Sequence, residues 1–420
     1  MNWIAWTVLT ALIVDFGLHL AADILNLKQP TTRLPQAFAG RYDAQRYKLS
    51  QDYLKARTRL AMVAAVSHLT AVLLFWFLGG FQWVDESIRR IPLGPVPMGV
   101  TYIGVLAAAR ALATLPFDLW SIFVVEARFG FNRTTWATWL VDRLKGAALA
   151  VLIGAPILGV VLYLLMAAGA WAWVYCWVSL TVFMLLLEMV TPVWILPLFN
   201  RFEPLSAGPL REAIEQYARS VDFAVRNIFV MDGSKRSSKA NAFFVGFGRN
   251  RRIVLFDTLV ADHDIDAIVA VLAHEMGHFK HHHIGKMMAA GILQTGVVFC
   301  LLSFCISYRP LFDAFYLQQV SVHAGLAIFG LLYSPVALFS GVLLNAVSRR
   351  HEAIADRFAV RTTGKPAALR EALVKLTVAN LGNLFPHPLD VVLNHSHPPI
   401  LQRLAAIAKP TEVLPSGLRP

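Results

Sequence analysis

Seven stretches of this 420-residue chain are long and apolar enough to cross a lipid bilayer, and they leave few folds open. They lie at about 3–25, 59–81, 98–125, 145–169, 171–196, 286–308 and 322–346. Inside hydrocarbon every backbone N–H and C=O needs a partner within the protein, so each stretch is predicted to be a helix. Only 15% of the residues are charged, where a soluble protein would carry about 25%. The predicted fold class is therefore mostly α: a polytopic membrane protein with enough polar sequence left for one α+β domain.

The net charge of +12 invites a nucleic-acid reading, but the basic residues gather in particular loops. The loop after the first span carries Lys28, Arg33, Arg41, Arg46, Lys48, Lys55, Arg57 and Arg59 against Asp43 and Asp52. In the next loop Asp85 and Glu86 cancel Arg89 and Arg90. Basic and neutral loops go on alternating, which places the N-terminus outside and the C-terminus in the cytoplasm, in an inner membrane of a bacterium or an endoplasmic-reticulum membrane. No nucleic-acid partner is expected. The opening MNWIAWTVLT has no basic leader or cleavage site and is read as a retained span. Cys176, Cys300 and Cys305 all fall in apolar stretches and read as core residues, not as a disulfide framework. Several spans contain ionisable groups. Asp15, His19 and Asp23 recur at one-turn spacing and form a polar stripe, which fits either internal pairing or a wet cavity in the membrane.

Four segments follow: 1–196 with five spans, a polar 197–285, two further spans over 286–346, and a polar 347–420. In 197–285, residues 209–222 show helical periodicity with proline in the first turn, and Ile228–Met231 reads as a strand. Asn241–Val245 and Ile253–Phe256 read as a hairpin around GFGRNRR. A further helix starts near Asp262, Asp264 and Asp266 and runs into VLAHEMGHFKHHH.

That helix carries His274-Glu275-Met276-Gly277-His278, an HExxH pattern. Histidines four apart lie on one helical face, where both imidazoles can reach one Zn²⁺, and Glu275 on the neighbouring side can take a proton from water. Zinc needs a third ligand. An HExxHxxGxxH continuation fails here, because its glycine and last-histidine positions are His281 and Ile284. The candidate is Glu352, on a segment that returns to the same membrane face after the seventh span, with Asp356 one turn further on in a supporting or proton-handling role. His351 is the alternative ligand, but it points about 100° away around the helix. A histidine-rich transporter or scaffold would also explain spans and metal-binding side chains. It would not explain the glutamate inside the motif or the distant ExxxD on the same side.

With these residues in place, the chain resembles the integral-membrane CAAX prenyl protease 1 family. The resemblance is carried by RFGFNRTT (128–135), PLFNRFEPL (197–205), DGSKRSSKANAFFVGFGRNRRIVLFDTL (232–259), LAHEMGHFKHHH (272–283), NAVSRRHEAIADRFA (345–359) and NHSHPPILQRL (394–404). It implies one zinc ion per chain on His274, His278 and Glu352, with Glu275 as base and Asp356 in the active site. It also implies that His397 steadies the scissile carbonyl or the tetrahedral intermediate. Asn241, Ala242 and Phe243 match an edge strand that pairs with an extended peptide, and Asn345 and Arg403 match recurrent positions near the site. The implied architecture is seven helices around a water-filled chamber capped by the zinc domain. The implied activity is endoproteolysis near the C-terminus of proteins or peptides, prenylated CAAX proteins among them, by an enzyme expected to act as a monomer. Membrane quality-control proteolysis without prenyl specificity is the alternative.

Overall fold

A computed structural model describes residues 1–29, 34–225, 227–245 and 252–408. The chain divides into two compact units. The first comprises residues 1–25, 56–191 and 287–341; the second comprises 26–55, 192–286 and 342–420.

Among the described residues, six helices are long and apolar enough to span a membrane: Trp3–Lys28, Ala44–Phe77, Pro95–Glu126, Trp136–Ala167, Gly169–Phe199 and His283–Cys305. A seventh span is reached only by joining Val322–Leu332 to Ser334–Thr363 across a 53° bend. Pro335 explains the break, since its nitrogen has no hydrogen to donate and its ring clashes with the preceding turn. The apolar part of the second helix ends near Ala346, and its remainder is polar. The second span also differs from expectation. Its helix begins at Ala44, with a polar first half. Three spans contain π-helical turns, at Ser121–Glu126, Ala150–Gly154 and Thr191–Ile195. Each lies within a few residues of Pro116, Pro156 or Pro192, where a helical hydrogen bond is lost.

The neutral loops of the first unit are not simple connections. Gly80–Arg89 and Arg309–Ala314 are short helices, and Phe81, Val84, Ile88, Leu311, Phe312 and Phe315 share one core with Trp76. Trp76 stacks on Phe315 and donates its indole N–H to the Ala314 carbonyl at 2.8 Å. Asp85, one of the cancelling charges of the neutral loop, is buried between Arg89 at 2.6 Å and His323 at 2.7 Å.

The second unit holds a four-stranded sheet in the order β1-β2-β4-β3. The strands are β1 (Phe202–Pro204), β2 (Asn227–Met231), β3 (Ala242–Val245) and β4 (Arg252–Phe256). β2 and β4 are parallel, whereas β1 and β3 pair antiparallel at the two edges. Phe243 sits opposite Val254, as the expected hairpin requires, although its turn lies outside the described residues. β1 was not foreseen. The helices used below are α1 (Pro209–Ser220), α2 (Ile265–Lys280), α3 (Ser334–Thr363), α4 (Pro366–Ala379), α5 (Pro388–Asn394) and α6 (Ile400–Ala408). One core joins Ile214 and Tyr217 of α1, Leu255 of β4, Leu272 and Met276 of α2 and Leu404 of α6. Phe38, Tyr42 and Tyr47 belong to that core too, so the basic loop after the first span supplies three aromatic side chains to it.

Candidate active site

Asp264 starts α2: its carboxylate accepts the Ala267 N–H at 2.9 Å, satisfying one of the helix's unpaired donors. Ten residues on, His274 is buried against α3. Gly277 allows this approach. A Cβ at that position would stand 3.0 Å from the Ala355 Cα and 3.2 Å from the Ala355 oxygen. Contact at backbone distance brings the HExxH turn level with Glu352 and Asp356.

The Nε2 atoms of His274 and His278 are 3.2 Å apart, and both face the Glu352 carboxylate, at 3.4 and 3.1 Å. Their ligand atoms all lie within 4.8 Å of one another, and no other group of three metal-capable side chains does so among the described residues. Glu352 is 3% exposed, and its Oε2 has no hydrogen-bond partner. A buried carboxylate whose Oε2 faces His274, without a hydrogen bond, and whose Oε1 faces His278 is, with those two rings, a donor set for a divalent cation, and two nitrogens with one carboxylate suit zinc. His351 takes no part in this set. Its ring stacks on His283 at 4.0 Å and an interplanar angle of 8°.

The surrounding groups are ordered by charge. Arg403 on α6 grips Asp356 with two hydrogen bonds, of 2.8 and 2.7 Å, and Asp356 in turn accepts from the His274 Nδ1 at 2.8 Å. Arg403 also stands 3.7 Å from Glu352 and 3.5 Å from the His274 Nδ1. Arg403, which matches a recurrent family position near the site, has its contacts there with Asp356, Glu352 and His274. Burial alone would lower His274, but the Asp356 and Glu352 carboxylates outweigh it and raise it to about 9. Burial would raise Asp356, but its bonds to Arg403 and His274 hold it below the ordinary aspartate range. For Glu275 burial wins and pushes the carboxyl up. No hydrogen bond or ion pair engages the Glu275 carboxylate among the described residues. It is thus a free, desolvated carboxylate one residue from a ligand-facing histidine.

His397 approaches from the chain after α5, its Nε2 3.2 Å from Glu352 Oε1. The rest of its side chain is largely exposed to solvent. Two α3 residues hold that chain. Asn345 donates to the Leu393 carbonyl at 2.9 Å, and Arg349 donates to the carbonyls of Val391 and His395 at 3.0 and 2.7 Å. Asn345, which matches a recurrent family position near the site, bonds to this supporting backbone. Arg349 was not singled out from sequence, though it stands in the SRR that precedes the ExxxD segment. Asn241 is exposed, Ala242 is buried and pairs with Leu255, and Phe243 packs edge-on against Phe256, so all three lie at the start of the edge strand β3.

Residues 23–201 match a family model described as CAAX prenyl protease N-terminal, five membrane helices, and residues 204–411 match peptidase family M48. The CAAX prenyl protease 1 homolog of Arabidopsis thaliana is 35% identical over 96% of both chains. The chain belongs to the CAAX prenyl protease family, M48. It is similar also to CAAX prenyl protease 1 of Saccharomyces cerevisiae, at 32% identity over 90% of this chain and 89% of that one. The crystal structure of S. mikatae Ste24p superposes with a TM-score of 0.92 at 30% identity, covering 97% of this chain and all of the other. As an M48 member the chain is an integral-membrane metalloprotease, which sets the transporter and scaffold readings aside. One participant had no signal in the spacing of the motif. His283, five residues beyond His278, places its Nδ1 3.1 Å from the Nδ1 of His278. In a continuous helix it would lie about 140° around the axis.

Proposed function

We propose that this chain is a zinc endopeptidase that cuts near the C-terminus of CAAX proteins, prenylated ones included. The observation that carries the proposal is the convergence of His274, His278 and Glu352 beside the unengaged Glu275 carboxylate. These three residues would hold the metal, which when bound acts as a Lewis acid for the scissile carbonyl and the attacking water. Glu275 accepts the water's proton and delivers it to the leaving amine, a task for which its raised affinity for protons is suited. His397 donates to the developing oxyanion, an effect typically worth about 3 kcal/mol. Asp356 fixes the His274 ring through Nδ1, and Arg403 fixes Asp356. The open edge of β3 can pair with an extended peptide, which leaves specificity to alternate side chains.

The spans are read as enclosing water. The Asp118–Arg143 pair at 2.7 Å, within the spans, leaves both side chains more than 40% exposed. Charges in hydrocarbon cost several kcal/mol, so an aqueous lining accounts for them. The alternation of basic and neutral loops supports a cytoplasmic face for the segments that carry His274 and Glu352.

The test compares wild type with Glu275→Gln, both zinc-loaded in detergent, on a farnesylated CAAX peptide and its unprenylated twin. Wild type should cut the farnesylated peptide, and the variant should be slower by 10²-fold or more. Equal cutting by the variant would refute the role of Glu275. Equal cutting of the two peptides would remove prenyl recognition from the proposal.

A further inference from the structure

We infer that His283 is a positioning residue for the metal centre: its Nδ1 accepts the Nδ1–H of His278 and so fixes the ring and tautomer of that ligand. The inference rests on the ligand reading of His278 proposed above. Both motif histidines turn Nε2 toward Glu352, at 3.4 and 3.1 Å, so Nε2 is the ligand atom in each. A neutral imidazole that offers Nε2 as a lone pair carries its proton on Nδ1, and that proton needs an acceptor. For His274 the acceptor is Asp356, at 2.8 Å. For His278 the atom facing Nδ1 is the His283 Nδ1 at 3.1 Å. The two ligands are thus supported differently, one by a carboxylate and one by a neutral ring.

The backbone is bent to make this contact. α2 ends at Lys280, and His282 adopts a left-handed conformation with φ 55°, which is unfavourable for a non-glycine residue. The next helix begins at His283 itself. This reversal swings His283 back over the ligand one turn below, and strain of this kind is tolerated where the surrounding structure requires it. The pocket is built for a ring. His283 is 2% exposed, clamped between His278 and the parallel face of His351. The stacked rings of His283 and His351 lie almost parallel, so their lone pairs do not converge, and the pair is not a second chelate. Their role is to keep one acceptor atom in place.

Three variants separate this role from bulk packing. His283→Phe keeps the ring but removes the acceptor, His283→Asn returns an acceptor near the Nδ1 position, and His278→Ala removes the ligand. Zinc affinity of the purified protein in detergent is measured by competition with a chelator, alongside the thermal unfolding midpoint and the kcat and KM for peptide cleavage. His283→Phe should bind zinc 10–100-fold more weakly and lose kcat rather than KM, and His283→Asn should recover most of the affinity. Wild-type zinc affinity in a folded His283→Phe protein overturns the inference. So does an Asn variant as weak as Phe at an unchanged unfolding midpoint. If His278→Ala still binds zinc like wild type, the ligand reading itself fails. If it loses zinc while His283→Phe does not, only the role of His283 falls.

Discussion

Asp390 holds three donors at once: the amides of Asn26 and Asn394 and the Nε2 of His395. Burial alone would raise its carboxyl, but the bonds from His395, Asn394 and Asn26 outweigh it and hold the group below the ordinary aspartate range. A depressed folded pKa means that the carboxylate contributes stability above the unfolded value of about 4 and loses it as pH falls through the folded one. The gap in unfolding midpoint between wild type and Asp390→Asn should therefore be widest above about pH 4 and close on acidification. A gap that is flat across that range would show that the carboxylate's charge contributes nothing. Residue by residue, the sequence revealed the centre better than its supports. Spacing alone exposed His274, Glu275 and His278, and ExxxD exposed Glu352 and Asp356. His283 was hidden because its role depends on a backbone reversal that no helical period encodes. Arg403 and Asn345 were legible as belonging to the site, but not as partners of Asp356 and of the Leu393 carbonyl.

Among elements, the crossing of α2 and α3 sets how closely His274 and His278 approach Glu352, the proposed ligands. Its tightest point is Gly277, where an added methyl would press on the Ala355 backbone and the Phe358 Cβ at 3.2 Å. Backbone cannot swing aside as a side chain does, so Gly277→Ala should cost about 1–3 kcal/mol and weaken zinc binding by separating Glu352 from the two histidines. Thermal unfolding and chelator competition measure the two effects, and a variant equal to wild type in both would mean that the crossing has slack. Periodicity found α1, α2, β2, β3 and β4. It did not find β1, whose three residues are too short to show alternation. The helix Gly80–Arg89 was read as a charge-balanced loop, although Phe81, Val84, Asp85 and Ile88 repeat at helical spacing, because the charges drew more weight than the period.

Over the whole molecule, seven spans were legible from hydropathy, but the bend at Pro335 and the aromatic residues that the first loop adds to the second unit's core were not. Hydropathy counts apolar residues without asking what they pack against. The exposed charges within the spans give the aqueous interior its test. Asp118→Cys, in a background lacking Cys176, Cys300 and Cys305, should react with a membrane-impermeant maleimide at a rate approaching that of a loop cysteine. A thiol facing lipid would stay unmodified for want of thiolate.

The unit that carries the site is assembled from three separated runs of chain, with HExxH before residue 287 and Glu352 after residue 341. During synthesis the ribosome therefore completes the histidine pair while the carboxylate that completes the donor set is still untranslated. Hydrolytic competence arrives late, once the intervening apolar segments have been made. A nascent or prematurely terminated chain that stops short of Glu352 would hold only two of the three proposed ligands.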